Sequence, residues 1–448
     1  MYDYSKLTGK VVTRDSYEYE EARKFWNRAI ERYPLVIVYC NNNEDIINAI
    51  KWSRENDIRL RIRSGRHNYE GFSSGNDVIV IDVSNMNNIE INESERKVKL
   101  EAGVKNEQVY EALGLKNYPF PGGGCPTVGV SGLVLNGGWG YSSRLFGLAC
   151  DSLIEIEMIN YKGELIKANS SENSDLLWAC KGAGGGNYGV ITSMTFKLHN
   201  KVDKVTLINI DFPKIENKEI ISLVNEWQSI FRDASRGFNG KLSIYNSKEK
   251  GIGVKLTSLY YGRVEEAKEI INKLKEKSSN INCSMEYLSI KEANEKIEYS
   301  HPEYEIYKSS GRFIYKALNE EDILELVSVI SKRAIGSIYT AITLYGLGGA
   351  VEDIAPEDTA FYYRNAKFIL GLQSLWEESK YADDNIKWYN KQNQKVLGIT
   401  KGSYISFPYL ELENFEREYY GGNIDRIKKI KDKYDPYNIF DFPQGIGK

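Results

Sequence analysis

No run of apolar residues in this 448-residue sequence reaches the roughly 18 needed to carry a helix across a bilayer, so no membrane partner is expected. Histidine is scarce. The three present, His67, His199 and His301, never stand at metal-ligand spacing, which argues against a metal site. The five cysteines, Cys40, Cys125, Cys150, Cys180 and Cys283, are odd in number and widely separated, which argues against a disulfide framework or a Cys-x-x-Cys site. Neither sign of charge dominates: 59 Lys and Arg stand against 62 Asp and Glu, and no basic stripe offers a footprint for nucleic acid. The opening MYDYSKLTGK lacks the basic start and apolar core of a signal peptide, so the expected location is cytoplasmic. Internal repeats and low-complexity tracts are also missing.

What is present fits a soluble globular enzyme, with 42% hydrophobic and 27% charged residues. The length suggests two to three domains in a monomer or homodimer. A helix is predicted over residues 17–32, a strand over LVIVYC (35–40), a helix over 44–56 capped by Asn43, and strands over 58–63, 78–84 and 97–103. A short helix near 106–113 follows. This order reads as a small α+β nucleotide-binding unit. LIEIEMIN (153–160) reads as a strand, SDLLWACKG (174–182) as a helix, and VITSMTFKL as a β-rich segment. From about 200 to 400, strands (205–212, 241–246, 251–261, 337–345, 366–373) alternate with charged helices (218–232, 264–276, 321–333, 378–395). That pattern predicts one antiparallel sheet covered by helices. A helix over 423–433 lies in the tail.

The stretch around which the chain is organised is PGGGCPTVGVSGLVLNGGWGYSSRLFGLACD, residues 121–151. Its recurrent glycines are costly in conformational entropy and fill no core. They suit a backbone that must approach something flat and large, such as a flavin, with Cys125 within bonding reach. A thiolate in this constrained loop would attack an electron-poor ring. The loop Arg63-Ser64-Gly65-Arg66-His67-Asn68-Tyr69-Glu70-Gly71 joins two strands and offers glycine amides, a serine and two arginines to a pyrophosphate. Two further matches fail on context. Gly184, Gly186 and Gly189 fit G-x-G-x-x-G, yet a helix precedes them and a strand follows. Gly71-Phe72-Ser73-Ser74-Gly75 fits the nucleophile elbow, yet a strand comes next.

RSGRHNYEG together with GGGCPTVGVSGLVLNGGWGYSSRLFGLACD resembles the berberine bridge enzyme-like flavoproteins, within the para-cresol methylhydroxylase and vanillyl-alcohol oxidase FAD fold. The likeness covers about 30–200 and resumes at YDPYNIF. It implies an α+β chain with an FAD-binding domain over 1–200, a substrate domain over 201–400 and a segment over 401–448 returning to the FAD domain. It also implies FAD bonded twice, at its 8α carbon through His67 and at C6 through Cys125. The cofactor set it points to is His67, Cys125, Arg63, Ser64, Gly65, Arg66, Asn68, Thr127, Val128, Gly129, Gly132, Gly138, Gly140 and Val190. The family usually carries glycine where this chain has Arg66.

The expected reaction is oxidation of an alcohol, a carbohydrate or a secondary metabolite, with O2 reduced to hydrogen peroxide. Val128 resembles the small residue of oxygen-permissive relatives. The base that takes the hydroxyl proton is sought among tyrosines. Tyr404 lies in a segment similar to the family's Tyr-x-Asn-Tyr strand, where alternation sets residues 404 and 406 on one face and 407 on the other. Phe407 stands where the family often has its basic tyrosine. Tyr345 and Tyr363 are the other candidates. A phenol, ordinarily near ~10, needs a neighbouring cation such as Arg364 to lower it. The alternatives are a tailoring dehydrogenase or cyclase that does not use O2, and a redox-inert flavin-binding protein.

Overall fold

The computed structural model describes residues 2–447, with sixteen strands in three sheets. The first sheet holds β1 (Lys10–Thr13), β2 (Val36–Tyr39), β3 (Leu60–Arg63) and β4 (Ile79–Asp82), in the order β1-β2-β4-β3. β4 runs parallel to both β2 and β3, and helix Asn43–Glu55 makes the crossover between those two. Its cap is Asn42 rather than Asn43: the Asn42 side chain accepts from the Asp45 amide. The second sheet is antiparallel: β5 (Ile89–Asn92), β6 (Lys97–Glu101), β7 (Leu153–Ile159), β8 (Leu165–Asn169) and β9 (Val190–Lys197), ordered β5-β6-β9-β7-β8.

The third sheet is antiparallel and seven-stranded. It contains β10 (Lys204–Pro213), β11 (Phe238–Ser247), β12 (Gly251–Tyr260), β13 (Asn282–Ser289), β14 (Tyr307–Ile314), β15 (Ser337–Gly346) and β16 (Phe368–Trp376). Strand alternation divides it cleanly. Ile208, Ile210, Leu242, Ile244, Leu256, Ile342 and Leu372 face the helices in one apolar core. Asn209, Asp211, Lys241, Ser243, Lys255 and Thr343, one residue out of phase, face the opposite way into a cavity. The sheet therefore has a dry face that stabilises it and a polar face left for chemistry.

Two further expectations are corrected. The helix predicted over 17–32 is confined to Tyr19–Ala22. Beyond it the backbone is claimed by tertiary partners: the Trp26 amide donates to the Arg66 carbonyl, and the Arg28 amide to Glu305. The segment 403–407 is not a strand. Ser403 alone bridges to Arg312, and the chain then turns, with the Phe407 amide donating to the Tyr404 carbonyl at 2.9 Å. The turn brings the rings of Tyr404 and Phe407 within 5.0 Å, on the same side rather than opposite sides. β1, β5, β8, β13 and β14 were not predicted; most are short, edge or mixed-polarity strands.

Candidate functional site

A cavity of about 780 Å³ lies between the polar face of the seven-stranded sheet and the two glycine-rich loops. The loops are held together backbone to backbone. A β-carbon on Gly65 would stand 2.1 Å from the Gly129 amide nitrogen, so no side chain fits where they cross. This contact brings together residues far apart in sequence. Nε2 of His67 lies 2.8 Å from Oγ1 of Thr127, and Sγ of Cys125 lies 3.9 Å from that same oxygen. The indole of Trp26 stacks on the His67 ring at 5.1 Å. Burial, aided by His301 and Lys105, pushes the His67 imidazolium down to about 3, so the ring is neutral. Burial pushes the Cys125 thiol up, and the amide and hydroxyl of Thr127 pull it back. Cys125 is thus a resting thiol rather than the thiolate expected from the loop alone.

Arg66 has φ +63°, the left-handed region that glycine enters freely, which gives a physical reason for the family's glycine there. Its strain is offset by a 2.8 Å hydrogen bond to the Tyr39 hydroxyl.

Of the expected cofactor residues, Ser64, Gly65, Arg66, His67, Asn68, Cys125, Val128, Gly129 and Gly132 line the cavity. Thr127 reaches it through His67. Arg63 does not line it: fully buried, it donates to Asp82 at 2.6 Å and to the Ala22 carbonyl, tying the first sheet together. Gly138 and Gly140 lie behind Trp139, which does line it. A β-carbon on Gly140 would meet the Gly122 carbonyl at 1.9 Å, so that glycine serves loop packing. Val190 points into the core, and its strand neighbours Gly189 and Ile191 reach the cavity instead.

The tyrosines separate. Tyr345 and Tyr404 line the cavity. The Tyr404 hydroxyl accepts from the Trp139 amide at 3.1 Å, and burial raises it to about 12. Burial raises Tyr345 as well. Both shifts run against a phenolate base. Tyr363 lies off the cavity, stacked on Phe313 at 4.4 Å with its hydroxyl donating to the Glu418 carbonyl. That environment takes it out of the catalytic set. Arg364 lowers no phenol: its guanidinium forks onto Asp151 at 2.8 and 2.9 Å in the protein interior.

The group that sequence reasoning missed is Glu305. It lines the cavity just ahead of β14, fixed by a backbone bridge to Asn27. Burial raises its carboxyl to about 7, opposed by Lys241. Its charge is felt by Cys125, Tyr307 and Tyr345, which places it over the same part of the cavity. His301 lies beside it over Gly124, neutral, its Nδ1 3.0 Å from the Ile297 carbonyl and its imidazolium down at about 4. The one sequence signal for Glu305 was a glutamate in an interrupted segment, HPEYEIY, with no element assigned to it.

The lining accepts a large planar cofactor. Gly132 in helix Val130–Leu135 borders the cavity, and a β-carbon there would meet nothing within 4 Å. The space over it is built for a group that the protein does not supply. Nε of Arg61 and Oγ of Ser73, both at the lining, are buried without a hydrogen-bond partner. Polar groups in that state imply a polar occupant.

A family profile described as "FAD binding domain" matches residues 34–169, and one described as "Berberine and berberine like" matches residues 403–447. An FAD-linked oxidoreductase of Bacillus subtilis, YgaK, is 34% identical over 449 residues, covering 99% of this chain and 97% of that one. A second from the same organism, YvdP, is 33% identical over 448 residues, with 99% and 98% covered. Among solved structures, Physcomitrella patens BBE-like 1 superposes with a TM-score of 0.90 at 23% identity, covering 99% and 98% of the two chains. Xylooligosaccharide oxidase from Myceliophthora thermophila superposes at 0.87 and 22% identity, covering 98% and 97%, and shares the fold.

Proposed function

This chain belongs to the berberine bridge enzyme-like family of FAD-linked oxidoreductases, and on that premise we propose that it is an oxidase of alcohols that uses O2 and releases hydrogen peroxide. The observation that carries the reading is a single cavity lined both by the His67–Cys125 pair and by Glu305, whose charge Cys125 feels. We take residues 1–200 and 401–448 as the cofactor part and 201–400 as the substrate part.

His67 and Cys125 would hold FAD by two covalent bonds, with Thr127 orienting both attachment atoms. Ser64, Gly65, Asn68, Gly129 and Gly132 would supply the backbone cradle. The chemistry supplied by bound FAD is acceptance of two electrons from a carbinol and their passage to an acceptor. Val128 at the lining, a small side chain, suits access by O2.

The remaining work belongs to the protein. Glu305 takes the substrate hydroxyl proton. A base is most effective when its pKa lies near the working pH, and at about 7 Glu305 meets that condition. His301, at about 4, is too weak a base, and Tyr404, at about 12, stays protonated. Tyr404 instead holds the Trp139 backbone, and Tyr345 packs its ring against that indole at 4.9 Å. Tyr141, Tyr339 and Tyr345 give the substrate end flat walls that suit a sugar ring. A chitooligosaccharide oxidase and a xylooligosaccharide oxidase share this fold. The test is a panel of alcohols and oligosaccharides assayed anaerobically for bleaching of the flavin and aerobically for peroxide. Bleaching without peroxide rejects the oxidase assignment, and no bleaching by any member rejects alcohol oxidation.

A further inference from the structure

Three lysines face the cavity from the hairpin of β11 and β12, and they are not equivalent. Lys250 is neutralised by Asp211 at 2.8 Å, a carboxylate that also accepts from the Tyr245 hydroxyl at 2.8 Å. Lys241 and Lys255 form no ion pair and no hydrogen bond among the described residues. Lys241 stands opposite Thr257 and Lys255 opposite Ser243, so the two are diagonal neighbours on one face, roughly 7–8 Å apart at the backbone. Two ammonium groups so placed repel one another. Lys255 is exposed as a residue, yet the cavity wall around its ammonium and, second, Lys241 make it give up its proton more readily than an ordinary lysine.

The other charged groups facing this space offset the pair only in part. Asp211, already held by Lys250 and Tyr245, also attracts Lys255; Glu249 sits exposed at the hairpin tip; Glu305 is neutral below about 7 and as a carboxylate attracts Lys241; His301 is neutral. Around the lysines stand neutral donors and aromatic rings: Asn209, Ser243, Thr257, Thr343 and Tyr339, with Tyr141 6.0 Å from the Lys241 ammonium. A polar sheet face with two cations that lack a directly bonded carboxylate is a receptor for an anion.

We propose that the alcohol oxidised here carries a carboxylate, held between Lys241 and Lys255 at the sheet while its carbinol lies beneath at Glu305. The inference rests on the alcohol-oxidase reading for the carbinol, but the lysine pair can be tested without turnover. A sugar acid or another hydroxy acid with several bonds between its two functional groups has the required chemistry.

The experiment is calorimetric titration of the flavin-loaded full chain with D-glucuronate, D-glucose and D-glucose 6-phosphate, repeated on Lys241→Met, Lys241→Gln and Lys255→Met. Glucuronate is expected to bind about tenfold or more tightly than glucose, the scale of one charge-assisted contact, and each substitution should remove most of that preference. Unchanged thermal midpoints show that the variants are folded, and Lys241→Gln keeps a hydrogen-bonding head. Equal or weaker binding of glucuronate, or a preference that survives all three substitutions, overturns the proposal. Tighter binding of glucose 6-phosphate than of glucuronate reassigns the lysines to phosphate and also overturns it. A flavin that no alcohol bleaches, in a protein that still prefers glucuronate, sinks the oxidase reading alone.

Discussion

The imidazole nitrogen Nε2 of His67 and the hydroxyl oxygen of Thr127 lie 2.8 Å apart, and that hydroxyl also reaches Cys125. Two side chains on separate loops thus share one oriented partner. Thr127→Val removes the partner and keeps the shape. The expected result is slower and less complete attachment of flavin with little loss of stability, measured as the fraction of colour retained after denaturation during a reconstitution time course.

Glu305 ties activity to pH and sets it against stability. Its folded value of about 7 lies above the ordinary 4.5, so the folded protein holds this proton more tightly than the unfolded chain. Folding stability contributed by the group is therefore fullest below about 4.5 and is lost as pH rises toward 7. The base, in contrast, works deprotonated, so kcat should climb through pH 7. Glu305→Gln is expected to lower kcat by about 10²–10⁴-fold and to flatten that limb. The same change should raise unfolding free energy at pH 8 by about 3 kcal/mol, the shift from 4.5 to about 7 taken at ~1.4 kcal/mol per pH unit. Full activity in the variant would remove Glu305 from the mechanism.

The glycines of the central stretch fall into two kinds, and substitution separates them. Gly132→Leu places a side chain in open cavity space and replaces a helical glycine, so the apoprotein gains about 1 kcal/mol. Bound flavin per chain is expected to fall severalfold. Gly140→Ala meets the Gly122 carbonyl and should abolish soluble expression. Normal flavin content in Gly132→Leu would contradict the placement of the cofactor.

Tyr363→Phe tests the off-site position of that residue. The loss of one buried hydrogen bond to the Glu418 carbonyl is expected to cost about 1 kcal/mol, with kcat within about twofold of wild type. Thermal unfolding and steady-state rates measure the two effects.

That the two glycine-rich loops meet at one cavity was legible in the sequence, because each loop carries its residues locally: His67, Cys125 and Gly132, which line it, can be read from neighbours a few residues away. The positions of β10, β11, β12, β15 and β16 were legible as well, since a half-buried strand writes its character into adjacent residues. Glu305 was not. Its position depends on the bridge to Asn27, formed across 278 residues, and nothing near it in sequence announces a cavity. Tyr363 and Arg364 look reactive beside one another on paper, but each finds a separate partner, in Glu418 and Asp151. The helix over 17–32 failed because local propensity lost to long-range hydrogen bonds at Arg66 and Glu305.

The double attachment is tested most directly by peptide mass spectrometry of denatured, protease-digested protein. The expected result is one cross-linked species in which the peptides containing His67 and Cys125 carry a single flavin, reduced to one peptide each in His67→Ala and Cys125→Ala. Recovery of both peptides at their unmodified masses, with all flavin released into the supernatant on acid precipitation, would contradict it.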